Sequence, residues 1–131
     1  MTAVNRLTEE QIEQLAVEIR QFLINNQLWQ DVDIYFNGKC FTTHDKEDGG
    51  YYYNDPDHLI VLENENPRDH FDYVAEDHVL SMAFEGPLYE LFNYPIGTAD
   101  YRKLDKFIQI FKNYGLYYEL GDMWNLSCYY V

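Results

Sequence analysis

The stretch DVDIYFNGKCFTT, residues 31 to 43, alternates apolar and polar side chains on both sides of Asn37-Gly38. Asn-Gly readily supplies the two positive φ angles of a two-residue hairpin turn, whose twist matches that of its flanking strands. The stretch therefore predicts a tight β-hairpin. With Phe36 opposite Lys39, Ile34 faces Phe41, so Val32, Ile34 and Phe41 share one face while Asp33, Tyr35, Cys40 and Thr42 share the other. The first face needs an apolar cover.

That cover is legible upstream. Ile12, Leu15, Ala16, Ile19, Phe22 and Leu23 form one stripe at helical spacing, Thr8 with Gln11 reads as a capping box, and Leu7 with Ile12 is placed for a hydrophobic staple. A helix is expected over residues 7 to 24, ending at Asn25-Asn26. Glu9, Glu10, Glu13 and Glu18 load its first turn and outer face with negative charge.

Downstream, YYYN (51 to 54) and HLIVLE (58 to 63) read as strand-like runs bracketing a turn at Asp55-Pro56-Asp57. VLSMAF (79 to 84) is apolar enough for a central strand and stops at Gly86-Pro87, which suits the first turn of a short helix over PLYELFN. YPIGTAD then reads as a linker, with Asp100 capping a helix buried through Leu104, Phe107, Ile108 and Phe111 and stopped by Gly115. LYYEL and MWNLSCYY flank Gly121-Asp122, expected to turn a second hairpin.

The elements add up to an α+β fold. Its expected form is a mostly antiparallel sheet of six or seven strands with two tight hairpins, the N-terminal helix and one or two later helices packing on one face. No internal repeat and no domain linker divides residues 1 to 131, which predicts one acidic domain.

Twenty-three acidic residues stand against nine basic ones, a net charge of −14, in a chain that is 47% hydrophobic and 18% aromatic. The aromatic content argues for a folded body under the charge. Direct binding to nucleic acid or to anionic lipid is disfavoured, because both need clustered Lys and Arg. Cys40 and Cys128 are too few for a disulfide framework. No apolar run approaches a membrane span or a signal peptide, so the expectation is a soluble, cytoplasmic protein with two buried thiols.

Between Phe41 and Glu90 the chain holds thirteen acidic residues, among them Asp72, and two basic ones, Lys46 and Arg68. Arg102, Lys103, Lys106 and Lys112 cluster instead on the later helix, giving the chain an electrical polarity. At the centre of the acidic half is HDKEDGGYYYNDPDH, residues 44 to 58. Its spacing fails the EF-hand pattern, although Asp45, Glu47, Asp48 and Asp55 have the oxygen chemistry of a loose surface calcium site. Each histidine adjoins an aspartate, at His44-Asp45, Asp57-His58, Asp69-His70 and Asp77-His78. Adjacent strand residues point to opposite faces, so this is no evidence of shared metal ligands, and none is predicted.

Ser81, Ser127 and Cys128 fall inside expected strands, and no nucleophile elbow is present; no catalytic residue and no cofactor is predicted. Glu85, entering a helix start at Gly86-Pro87, would repel an anion there. Carboxylates interleaved with Tyr51, Tyr52, Tyr53 and Tyr73 have the composition of an interface with a basic partner. The expected activity is that of an acidic interaction protein which inhibits a basic, nucleic-acid-binding enzyme such as a nuclease, as an immunity protein or nucleic-acid mimic would. Asp45, Glu47, Asp48, Asp55 and Asp57 would stand in for phosphates, and Tyr51, Tyr52 and Tyr53 would anchor. The alternative is a small-ligand or metal-binding domain or enzyme whose pocket holds His70, His78, Glu85, Tyr117, Trp124 and Tyr129. A tyrosine-rich edge strand that self-associates into a homodimer is a third reading.

Overall fold

A computed structural model describes residues 6 to 71 and 74 to 131. Asp72 and Tyr73 lie outside the described residues. The chain order is α1 (Glu9–Asn25), β1 (Val32–Phe36), β2 (Lys39–Thr42), β3 (Ile60–Glu63), a 3-10 turn (Pro67–Asp69), β4 (Leu80–Phe84), α2 (Gly86–Asn93), α3 (Gly97–Lys112), β5 (Leu116–Asp122) and β6 (Asn125–Tyr130). The fold is α+β, with one six-stranded antiparallel sheet in the order β3-β2-β1-β4-β6-β5.

The first hairpin has the expected register, with Phe36 opposite Lys39 and Ile34 opposite Phe41. Its turn residues Asn37 and Gly38 take φ of 49° and 75°, the left-handed values such a turn requires. Helix α1 starts with the capping box at Thr8 and Gln11 and ends at Asn26. Its Leu15, Ala16, Ile19 and Leu23 pack in one cluster with Val32, Ile34, Phe41, Met82 and Leu126 from the sheet. Phe107 and Phe111 of α3 and Leu88 and Leu91 of α2 complete this cluster, so all three helices lie against the same face.

Three readings need correction. Residues 51 to 54 are not a strand: Tyr51 makes one isolated bridge to His44, and the tyrosine side chains take up local partners instead of a ladder. Helix α3 begins at Gly97, inside the stretch read as a linker, and Asp100 lies in its first turn, where its carboxylate accepts the Ile96 N–H at 2.7 Å. The second hairpin turns at Met123-Trp124 rather than at Gly121-Asp122. Pairing shifts register between Leu120 and Asp122, so Gly121 is taken up as a bulge, a common use of glycine inside a strand.

The second face of the sheet has a smaller apolar cluster. Tyr35, Cys40 and Phe71 are its buried members. Ser81 and Ser127, paired across β4 and β6, are buried with their hydroxyls hydrogen-bonded 2.7 Å apart. Both cysteines are free and buried, and burial pushes the Cys128 thiol up to about 12 and raises Cys40 as well, which removes them as nucleophiles. No helix among the described residues is long and apolar enough to cross a membrane.

Candidate functional site: an acidic loop and the cleft beside it

The acidic stretch is a built loop. β2 runs on through Thr43 and His44, and the chain returns through Tyr51 and Tyr52, with Tyr52 N–H donating to the Thr43 carbonyl at 2.8 Å. Between them, Asp45 accepts the Glu47 N–H at 2.9 Å and Asp48 accepts the Gly50 N–H at 2.7 Å, the local turns that aspartates favour. A Cβ on Gly50 would come within 3.0 Å of both the Asp48 carboxylate and the Tyr52 ring, so only glycine fits this turn undisturbed.

Side chains lock the loop further. Asp48 accepts the Tyr52 hydroxyl, and the Tyr52 ring stacks on His58 with centroids 3.5 Å apart and planes within 6°. His58 Nε2 lies 3.2 Å from Asp45 Oδ2. That bond, followed by the Glu47 N–H, holds the Asp45 carboxyl below its ordinary pKa. Tyr53 donates to Asp31 at 2.7 Å, an interaction that raises the Tyr53 hydroxyl to about 12. Tyr51 stacks on His44 at 4.4 Å and stays 59% exposed, while Tyr53, 5.9 Å from it, is 38% exposed.

Two anchors hold the loop from below. Arg20 of α1 is only 8% exposed, its guanidinium lies 5.6 Å from the Trp29 ring, and it donates to the carbonyls of Asp55 at 2.9 Å and His58 at 3.4 Å. Trp29 and Asn54 exchange bonds, Trp29 N–H to the Asn54 side chain and Asn54 N–H to the Trp29 carbonyl, both at 2.9 Å. Sequence reasoning missed both anchors. The available sign was Arg20 itself, a cation next to Ile19 on the helix stripe.

All eight residues assigned to a partner surface thus lie on one ordered loop, but their roles divide. Asp45, Asp48 and Tyr52 are engaged inside the loop, and Asp55 accepts the Asp57 N–H at 2.9 Å. Glu47 and Asp57 are exposed, and their side chains make no hydrogen bond or ion pair among the described residues. Ligand atoms of Asp45, Asp48 and His58 lie within 4.8 Å of one another, a spacing from which a cation could be held. Each of these side chains already has a partner in the loop, so binding would have to displace Tyr52 or part Asp45 from His58.

None of the four histidines pairs with its neighbouring aspartate among the described residues: His70 lies 3.4 Å from Glu65, and His78 Nδ1 lies 2.7 Å from the Ala75 carbonyl. The pocket proposed around the histidines is only half assembled. His70, Glu85 and Trp124 do line one cleft, of about 420 Å³, on the helix-free face of the sheet. His78 lies elsewhere, beside Asn37 and Pro67, and Tyr117 and Tyr129 meet each other at 5.8 Å with their rings tilted by 41°, on the outer hairpin. Tyr117 and Tyr129 share the cleft's face of the sheet but lie beyond its end, Tyr129 two residues past Ser127 on β6 and Tyr117 opposite it on the edge strand β5.

The cleft is floored by Asp33 and Ala83, opposite each other on β1 and β4, and by Thr42. One end is aromatic: Phe71 meets Tyr35 and Trp124 edge to face at 5.5 and 5.6 Å, and His70 lies 5.4 Å from Tyr35. The other end holds Asp31, Glu85, His44 and Tyr51, so the cleft opens directly beside the acidic loop. Burial raises the pKa of Asp33, and the neighbouring Thr42 hydroxyl opposes the rise in part. Comparison with protein-family models, with curated proteins and with solved structures finds no match to this chain, so the site stands on its own geometry.

Proposed function

We propose that the protein is an acidic interaction protein that binds a basic protein partner through loop 44 to 58 and the adjoining cleft, and that it acts as an inhibitor by covering the partner's cationic surface. The observation that carries this is the preorganised loop: carboxylates tied into turns, with Tyr51 and Tyr53 exposed beside them and Arg20 and Asn54 fixing the base. Order in the free protein lowers the entropy cost of association, and exposed aromatic rings are efficient anchors. Glu47 and Asp57 present charge outward, and a field of this sign speeds encounter with a cationic surface. A nucleic-acid-binding enzyme is the partner class whose groove has the matching charge.

The test is capture from the native lysate at about 50 mM salt, followed by a salt gradient, with the wild type beside a triple reversal of Asp45, Glu47 and Asp48 to Lys. The expected result is one basic protein held by the wild type, released by a few hundred millimolar salt and lost from the variant, because exposed charges are largely screened in that range. Unchanged capture by the variant would overturn the reading. A folding check by circular dichroism accompanies it, since Asp45 and Asp48 also hold the loop together.

A further inference from the structure

We propose that the cleft on the helix-free face is a receptor for an arginine side chain of the partner, taking the guanidinium between its aromatic end and its carboxylates. This deepens the basic-partner reading and rests on it.

The sign of the ligand follows from the lining. Asp31, Asp33, Glu65 and Glu85 all face the cleft, which excludes an anion. Against them stand Lys46, exposed on the rim, and the two histidines. The size of the cation follows from spacing. Among the described residues the one group of three or more donors close enough to share a metal ion is Asp45, Asp48 and His58, and the cleft carboxylates form no such group. A wide, delocalised cation fits such an arrangement better than a point charge.

The walls select within that class. Trp124 is 37% exposed and Tyr51 59%, leaving ring surface for a flat cation to lie against. Guanidinium is also less strongly hydrated than ammonium, so it loses less on entering a half-buried site. Asp33 is the half-buried carboxylate on the cleft floor, opposite Ala83, with Glu65 opposing its charge, so a cation there would relieve it. Thr42, beside Asp33 on the floor, has its hydroxyl oxygen accepting the His44 N–H at 3.3 Å. The cleft volume of about 420 Å³ lies in the range of small-ligand sites, ample for one side chain.

The test is an amide-shift NMR titration of the full chain with N-acetyl-arginine amide, beside its lysine and citrulline counterparts. The expected result is movement of the Trp124 indole signal and the Asp33, Ala83 and Glu85 amides, with a Kd on the order of 1 mM for so small a probe. Lysine should bind several-fold more weakly and citrulline not at all. Asp33→Asn should weaken the arginine probe about tenfold, Glu85→Gln less, while Asp105→Asn, exposed on helix α3 and outside the cleft, should leave it unchanged.

Equal response to citrulline, an unmoved Trp124 signal, or an Asp33→Asn protein that is folded and binds as before would each overturn the arginine site. If those failures occur while the triple reversal still abolishes capture, the cleft assignment falls and the basic-partner reading stands. If the probe fills the cleft but capture is unaffected by the reversal, the loop reading falls and the partner source of the arginine falls with it.

Discussion

The two faces of the sheet are made by the same strands and have opposite chemistry. On one, three helices exclude water from Val32, Ile34, Met82 and Leu126; on the other, the next residues along the same strands are Asp33, Tyr35, Ser81, Ala83 and Ser127, covered in part by the segment around Phe71. A strand alternates its side chains, so the apolar core face and the polar face are separated by a single residue step.

The comparison is broken most directly by truncating each cover in turn. Phe107 is 1% exposed and meets the rings of Phe22, Phe92, Phe111 and Tyr118 at centroid distances of 5.1 to 5.8 Å. Phe107→Ala should cost about 3–5 kcal/mol, read as a drop in the denaturant midpoint. That is a large share of the roughly 5–15 kcal/mol available to a small protein. Phe71→Ala on the opposite face should cost about 2 kcal/mol and change Trp124 fluorescence while leaving the helical circular dichroism intact. Equal costs would mean that both faces are core.

Charge sharpens the contrast. Asp33 has a folded pKa above its unfolded value of 3.8, so the folded state holds its proton more tightly and stability falls as pH rises from about that value through the folded one. Asp33→Asn should remove this decline and raise stability at pH 7; denaturant curves at pH 4 and pH 7 for both proteins decide it. Asp45 shows the reverse and the smallest effect. Its folded pKa is lowered, so its contribution is present above 3.8 and is lost as pH falls through the folded value. Asp45→Asn should therefore lower stability slightly at neutral pH, and the difference from wild type should vanish in acid and shrink in high salt.

The same division explains what could be read from residues alone. The Asn37-Gly38 turn and the Thr8 capping box were legible because each is completed within a few residues of chain. The turn at Met123-Trp124 was not, because Gly121-Asp122 is the better local signal. Pairing of Ala83 with Asn125, the Phe84 N–H bond to the Trp124 carbonyl at 2.8 Å and the packing of Trp124 on Phe71 set that register from outside the hairpin. The acidic loop was visible as a concentration of charge and tyrosine, but its order rests on Arg20, 35 residues from Asp55, and on His58, 13 residues from Asp45.

By itself the sequence determined the α+β class, the first hairpin and its register, the capped helix and the face it covers. It also determined the sign of the charge carried by the acidic half, since charge sign and side-chain period are properties of the chain. Only the tertiary structure decided which polar residues meet. It joined His70, Glu85 and Trp124 in one cleft with Asp33, sent His78, Tyr117 and Tyr129 elsewhere, and turned a run of tyrosines from strand into loop. Those outcomes depend on strand order and on contacts between segments tens of residues apart, and neither local propensity nor periodicity encodes them.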